Sequence, residues 1–196
     1  MKQIVILASA SKRRSQILTS CGIKHKVAVS NAVEAHGKGA SISAIVVKNA
    51  KAKAIKIAPR YKYALIIGAD TLVRCGSSLI GKPRSAKEAK ALLKRFSGKR
   101  IEVFTGVFVI DTLTGKAAKG CEKSSLYAQR LTKAEIDKFF KLLGPYDKAG
   151  GFSIEGVGSL LFDDIRGSYF NILGLPMITL RNLFKKLGLE ILDFIM

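Results

Sequence analysis

The sequence predicts a single α/β domain built on a mixed sheet. The chain has 196 residues, of which 48% are hydrophobic, so it is long enough to bury a sizeable core. Short apolar runs alternate with segments that begin at helix-capping residues, and two adjacent β-rich stretches indicate a hairpin within the same sheet. No internal repeat and no linker divides the chain, so we expect residues 1–196 to form one domain with two lobes.

Elements of the first half follow from apolar runs bounded by turn residues and from helix caps. In chain order they are strand Gln3–Ala8, a helix that ends at Gly22, strand Ile23–Val29, a helix from Ser41 to about Ala58, and strand Tyr63–Ile67. The last strand is nearly continuous in apolar residues, which is typical of a strand buried on both faces. It is expected to end at Gly68-Ala69-Asp70.

Elements of the second half include two helices that begin at capping boxes, because a glutamate stands three residues after Ser85 and after Thr132. In chain order we expect a helix from Ser85 to Phe96, strands Ile101–Ile110 and Lys116–Gln129, a helix from Thr132 to Gly144, and a final helix Met177–Leu187. The segment Tyr146–Pro176 combines glycines with aromatic and acidic residues, so it is interpreted as a functional loop system.

Lysine and arginine number 34 against 14 acidic residues, and the net charge of +20 favours a partner that carries phosphate. Charge alone leaves RNA, DNA, nucleotide and acidic lipid open. No apolar stretch reaches the roughly 18 residues of a membrane span, and the N-terminal apolar run is shorter than the roughly 7 residues of a signal peptide. Three cysteines without disulfide or metal spacing favour a reducing compartment. We therefore expect a cytoplasmic protein without membrane contact.

The segment Ser9–Arg14 lies where the first strand turns into the first helix. Backbone N–H groups, two hydroxyls and two guanidinium groups can converge there on one anion, which would make the segment a phosphate cradle. The other interpretation is an N-cap serine followed by solvated basic residues. The residues alone leave both open.

Three further charged residues are candidates for chemistry. Asp70 is predicted at the carboxyl end of the buried strand, where it could hold Mg²⁺ or take a proton from water, unless it is a turn aspartate. Lys82 lies in the rigid loop Gly81-Lys82-Pro83 and could neutralise charge that develops on phosphate, or could be an exposed loop lysine. Glu34 could be a second metal ligand or an exposed glutamate.

The segments Asp147–Gly150 and Gly151–Gly156 place charges among glycines, as a loop that closes around a ligand requires. Phe152 within the second segment could stack on a base or belong to the core.

Taken together and in order, these segments resemble the Maf family of nucleotide pyrophosphatases, also called septum-formation-inhibitor proteins. The matching segments are Leu7–Arg14, Gly68–Thr71, Gly81–Pro83, Ser97-Gly98, Thr105–Val107, Asp147–Gly150 and Gly167–Pro176. The resemblance implies a two-lobed α/β fold similar to that of the inosine triphosphate pyrophosphatases, with the active-site cleft between the lobes. It also implies frequent homodimers and the hydrolysis of nucleoside triphosphates to monophosphate and pyrophosphate with a divalent metal, Mg²⁺ or Mn²⁺.

Residue roles follow from the same resemblance. It implies that Asp70 accepts a proton and shares a metal ion with Glu34, and that Lys82 acts in catalysis. The residues implied to bind the triphosphate are Ser9, Arg13, Arg14 and Lys53, together with Lys82. In such a site the metal and the cations would neutralise the triphosphate while a carboxylate-activated water attacks the α-phosphorus.

Three positions depart from the family pattern: Lys12 replaces a common proline, Val33 replaces the acid before Glu34, and Ile101 replaces a frequent histidine. Two substrate-binding positions indicate different bases. Thr71 resembles the branch that prefers dTTP and UTP, whereas Glu155 stands where that branch has glutamine and resembles the 7-methyl-GTP branch. We favour a pyrimidine nucleotide. The alternatives are a 7-methyl-GTP pyrophosphatase and, from another class, a basic nucleic-acid-binding or cell-division regulatory protein.

Overall fold

A mixed sheet runs through the part of the chain that the computed structural model describes, residues 3–35, 40–143 and 151–195. Its strands are β1 Ile4–Leu7, β2 His25–Val27, β3 Ala64–Cys75, β4 Ser78–Ile80, β5 Arg100–Asp111, β6 Ala117–Ala128 and β7 Phe162–Arg166. The strand order is β2-β1-β3-β5-β6-β7, and β4 pairs with β3. β1 is parallel to β2 and β3, and the other pairs are antiparallel. The predicted α/β class with a mixed sheet is confirmed.

Helices connect these strands. They are α1 Lys12–Ser20, α2 Ile42–Ile57, α3 Ala86–Phe96, α4 Lys133–Leu142, α5 Tyr169–Leu173 and α6 Met177–Lys186, with short 3₁₀ helices at Ala58–Arg60, Gly156–Leu161 and Ile191–Phe194. The capping box predicted at Thr132 is confirmed, because its hydroxyl and the Glu135 carboxylate cap each other's backbone N–H groups. At Ser85 only half of the box forms, since the Glu88 carboxylate accepts from the N–H of Arg84 instead.

Two glycines let α2 pack unusually close to one face of the sheet. A Cβ atom on Gly68 of β3 would lie 2.1 Å from the carbonyl oxygen of Ala50, and one on Gly106 of β5 would lie 2.4 Å from the carbonyl carbon of Val46. Both neighbouring atoms belong to the α2 backbone and cannot move aside alone. The close approach therefore brings the polar residues of α2 against the middle of β3.

The larger core lies on the opposite face. Leu18 of α1, Ile67 of β3, Leu126 of β6 and Phe184 of α6 are wholly or almost wholly buried there. Phe152 belongs to the same core at 6% exposure, and its ring contacts those of Phe96 and Phe162 at centroid distances of 5.6 Å and 5.3 Å. Of the two interpretations of Phe152, core packing is therefore the one observed.

The boundaries of β3 correct one expectation. The strand continues to Cys75, so Asp70 lies in its interior rather than at its carboxyl end. Gly68 suggests a turn in the sequence, but its role here is to admit the α2 backbone. Asp70 nevertheless lies just beyond the last residue pair of the parallel β1–β3 ladder, Leu7 with Ile67. The edge where β1 ends is therefore still the place where Asp70 meets the loop that follows β1.

Candidate active site

A lysine lies between two carboxylates at the centre of the site. Asp70 is only 5% exposed, and its Oδ1 accepts a hydrogen bond from Lys53 Nζ at 2.7 Å. The same Nζ lies 2.7 Å from Oε1 of Glu34, whose side chain is 46% exposed. Since an unpaired buried carboxylate is costly, the contact with Lys53 stabilises Asp70 inside the strand. The structure thus brings three of the predicted site residues into direct contact.

Asn49 completes this cluster, and the sequence analysis missed it. Its Nδ2 donates to Oδ2 of Asp70 at 2.9 Å and to the carbonyl of Ala35 at 3.2 Å, while its Oδ1 accepts from the Ala35 N–H at 2.8 Å. Asn49 and Lys53 are four residues apart on α2 and therefore share a helix face. The available signal was a polar residue one turn before Lys53, on the helix face that otherwise carries apolar residues such as Ile45 and Val46.

Arg14 organises a second cluster beside the first. Its guanidinium donates to the carbonyls of Gly174 at 2.7 Å and Ala69 at 2.9 Å, and to the hydroxyls of Ser9 and Thr71, both at 2.9 Å. The side chain has five N–H donors, so one on Nη2 is left without an acceptor among the described residues. Burial lowers the pKa of Arg14, and the charges of Asp70 and Glu34 oppose that shift.

The hydroxyl of Thr71 belongs to a directional chain. Oγ1 of Thr105 donates to the carbonyl of Asn171 at 2.9 Å, so the 3.0 Å contact between the two threonine hydroxyls requires Thr71 to donate to Thr105. Thr71 then accepts from Arg14. Because both threonine hydroxyls are engaged in this way, Thr71 is held in one orientation between β3 and β5.

Arg13 and Glu155 form a third contact across the site. Nε of Arg13 lies 3.2 Å from Oε2 of Glu155, and the side chains are 22% and 45% exposed. The hydroxyl of Ser153 also donates to Oε2 of Glu155, at 3.2 Å. The pair connects the first turn of α1 to the segment after Gly151. It therefore places the Glu155 carboxylate beside the predicted phosphate cradle.

Lys82 lies in the loop between β4 and α3, as predicted, and its side chain is exposed. It makes no hydrogen bond or ion pair with another described residue, so it is not part of the Asp70 cluster. Asp147–Gly150 and His36 lie outside the described residues. Two of the residues that differ from the family pattern differ in burial. Ile101 is completely buried in the core, whereas Val33, next to Glu34, is 92% exposed.

A metal site made of protein ligands alone is not present in the described part of the chain, where no group of three or more histidines, cysteines or acids gathers. Asp70 and Glu34 are nevertheless close together, because both contact the same Lys53 Nζ. Mg²⁺ is commonly held by one or two carboxylates together with substrate phosphates and water. The donor set therefore fits a divalent metal that arrives with a triphosphate.

The described helices include none that is long and apolar enough to cross a membrane. Cys21, Cys75 and Cys121 are all free thiols.

The fold and the site define an α/β protein in which buried carboxylate, lysine and arginine groups meet at one edge of a mixed sheet. The chain belongs to the Maf-like protein family, which it matches over residues 4–187. Its fold is similar to that of the Staphylococcus aureus Ham1 protein, with a TM-score of 0.54 at 14% identity over 95% of this chain and 100% of that chain. The family and the fold expected from the sequence are confirmed.

Relatives from bacteria and archaea match almost the whole chain. The dTTP/UTP pyrophosphatase of Dictyoglomus thermophilum is 40% identical over 98% of this chain and 100% of its own length. The dTTP/UTP pyrophosphatase of Desulforamulus reducens is 38% identical over 95% of this chain and 98% of its own. The protein of the same name from Methanococcoides burtonii is 34% identical over 96% and 97%, respectively.

Proposed function

We propose that this protein is a nucleoside triphosphate pyrophosphatase that hydrolyses dTTP or UTP to the monophosphate and pyrophosphate. The observation that carries the proposal is the buried Asp70 held by Lys53 beside Glu34. This arrangement places two carboxylates in contact with one lysine, next to the basic segment that begins α1. The names of the relatives support the same reaction.

In the proposed mechanism Asp70 accepts a proton from the water that attacks the α-phosphorus. Lys53 and Arg13 neutralise phosphate oxygens, and Ser9 with the remaining Nη2 hydrogen of Arg14 holds the polyphosphate at the start of α1. A Mg²⁺ or Mn²⁺ ion held by Asp70 and Glu34 would supply charge neutralisation of the triphosphate. Lys82 is proposed to bind the leaving pyrophosphate. Its exposed ammonium has no partner among the described residues, so it can bind phosphate without breaking another contact.

The choice of a pyrimidine base is supported by the surroundings of Glu155. A glutamate that recognised the donor edge of a guanine would present an unpaired carboxylate to the base. Here one carboxylate oxygen is shared by Arg13 and Ser153. Glu155 is therefore proposed to hold Arg13 at the phosphates rather than to select 7-methyl-GTP. Of the two positions that indicate the base, Thr71 then remains, and it favours dTTP and UTP.

The test is pyrophosphate release by purified protein with Mg²⁺ or Mn²⁺ across dTTP, UTP, CTP, 7-methyl-GTP, ITP and the standard nucleotides. We expect dTTP and UTP to be the best substrates. Asp70→Asn should lower kcat by about 10²–10⁴-fold, the usual contribution of a general base. Asp163→Asn, the same change at an exposed position of β7, is the control. Full activity in Asp70→Asn, or preference for 7-methyl-GTP, would contradict the proposal.

A cytoplasmic location is part of the proposal, because the three thiols are free. The homodimer and nucleic-acid binding stay predictions. Light scattering at several protein concentrations tests the first. Binding to single-stranded and duplex DNA across a salt series tests the second, since phosphate contacts make affinity steeply salt-dependent.

A further inference from the structure

We propose that Asn49 is a positioning residue for the proposed hydrolysis: it holds the Asp70 carboxylate and the loop that carries Glu34 in one fixed arrangement. The inference rests on the proposed function, since it assigns a task to a residue that contacts the proposed base. It adds a residue that none of the sequence motifs contains.

Every hydrogen-bonding group of the Asn49 side chain is used, and the residue is 2% exposed. Both N–H groups of Nδ2 donate, one to Asp70 Oδ2 at 2.9 Å and one to the Ala35 carbonyl at 3.2 Å. Oδ1 accepts from the N–H of Ala35 at 2.8 Å. The amide thus pairs with both backbone groups of Ala35, as a neighbouring strand would, and connects them to Asp70.

The two oxygens of the Asp70 carboxylate therefore have different partners. Lys53 occupies Oδ1 and Asn49 occupies Oδ2, so the plane of the carboxylate is held from two sides by residues one helical turn apart. Ala35 directly follows Glu34, and Glu34 contacts the same Lys53. Without Asn49 the carboxylate would lose one of its two supports, and the loop would lose both hydrogen bonds that hold Ala35, the residue next to Glu34.

Two substitutions separate this role from simple core packing. Asn49→Leu keeps a similar volume and removes all three hydrogen bonds. Asn49→Asp keeps an acceptor for the Ala35 N–H but replaces the donor to Asp70 with an oxygen. We expect kcat per folded molecule to fall about 10–100-fold in Asn49→Leu and further in Asn49→Asp, as for other residues that orient a catalytic group. KM for the nucleotide should stay within about threefold, because the phosphate contacts remain.

Asn182→Asp on the exposed surface of α6 is the matched control and should leave kcat unchanged. A measurement that needs no activity is hydrogen exchange of the Ala35 amide, which should be fast in Asn49→Leu and protected in Asn49→Asp. The swap Asn49→Asp with Asp70→Asn restores a donor–acceptor pair across the contact. It should therefore recover thermal stability that Asn49→Asp loses, while kcat stays as low as in Asp70→Asn.

The outcomes are distinguishable. A wild-type protein that releases no pyrophosphate from any nucleotide overturns the proposed function, and the positioning role with it. An active wild type together with a wild-type kcat in folded Asn49→Leu and Asn49→Asp overturns the positioning role alone. An equal loss of kcat in Asn182→Asp, or unchanged exchange of the Ala35 amide in Asn49→Leu, also contradicts it.

Discussion

Substituting lysine for Arg14 tests whether this residue is chiefly a structural clamp. Arg14 is 8% exposed, and its guanidinium donates to four acceptors, the carbonyls of Gly174 and Ala69 and the hydroxyls of Ser9 and Thr71. These acceptors lie on three segments of the chain, because Ala69 and Thr71 both belong to β3. A lysine keeps the charge but has three donors on a single nitrogen, and it cannot reproduce the planar fork.

The expected loss of stability follows from comparing four acceptors with three donors. At least one of the four acceptors must lose its donor, and the spread of the acceptors around the fork makes two losses the expected result. Each buried polar group left unpaired costs about 1–3 kcal/mol, so we expect Arg14→Lys to lower the free energy of unfolding by about 2–6 kcal/mol. For a protein of this length each kcal/mol lowers Tm by about 2–4 °C, which predicts a fall in Tm of about 4–24 °C.

The assay is thermal and urea unfolding of Arg14→Lys beside Arg13→Lys. Arg13 is the adjacent residue, but its single ion pair with Glu155 is partly exposed, so the same substitution should cost less than about 1 kcal/mol. Arg14→Lys should also raise KM for the nucleotide, because Ser9 would be less firmly held. Equal stability of the two variants, or an Arg14→Lys protein as stable as wild type, would refute the structural interpretation of Arg14.

Three further predictions concern packing, pH and specificity. Gly68→Ala should destabilise the protein by about 3 kcal/mol or more in a urea titration and abolish activity, because the added Cβ would meet the α2 backbone. The control is Gly81→Ala, where space is open, and it should be as stable as wild type. Burial raises the pKa of Glu102, but the hydrogen bond and charge of Arg74 and two further cations outweigh it, so the pKa lies below its ordinary value of 4.5. This carboxylate therefore adds stability above about pH 4.5 that is lost as the pH falls through the lowered pKa, and Glu102→Gln should flatten the stability profile below about pH 4.5. Glu155→Gln should raise KM for dTTP and UTP severalfold, because Arg13 loses its charged partner, and it should leave the ranking of dTTP and UTP above 7-methyl-GTP unchanged in the pyrophosphate assay.

Much of the fold could be predicted because local signals and tertiary structure agree. Ser41 and Thr132 cap helices where the sequence places caps, and α3 and α6 begin and end within a residue of their predicted bounds. Three short elements were missed: β4, β7 and α5. Each depends on pairing or packing with distant residues, and β7 exposes most of its side chains, so no apolar alternation marks it.

The site was predictable where residues follow one another in the chain and less so where a helix meets a strand. Ser9, Arg13 and Arg14 were expected together; Arg14 contacts Ser9, whereas Arg13 pairs with Glu155. Lys53 entered the predicted site through family resemblance alone, and its contact with Asp70 was not predicted, because the two residues meet through the close packing of α2 on Gly68. Asn49 carries no motif, and its importance depends on the position of Ala35.

A single carbonyl joins the two halves of the proposed site, and it explains how the proposed base Asp70 can lie in the interior of a strand. The oxygen of Ala69 accepts from Arg14 Nη1 at 2.9 Å and from Lys53 Nζ at 3.4 Å. The peptide before Asp70 is therefore fixed by the residue that orders the phosphate segment and by the residue that pairs with the carboxylate. Because β3 is also hydrogen-bonded to β5 along Asp70, neither group can shift without the other. Catalysis that depends on positioning gains from such coupling, since misplacement by about 1 Å can cost 10²-fold in rate.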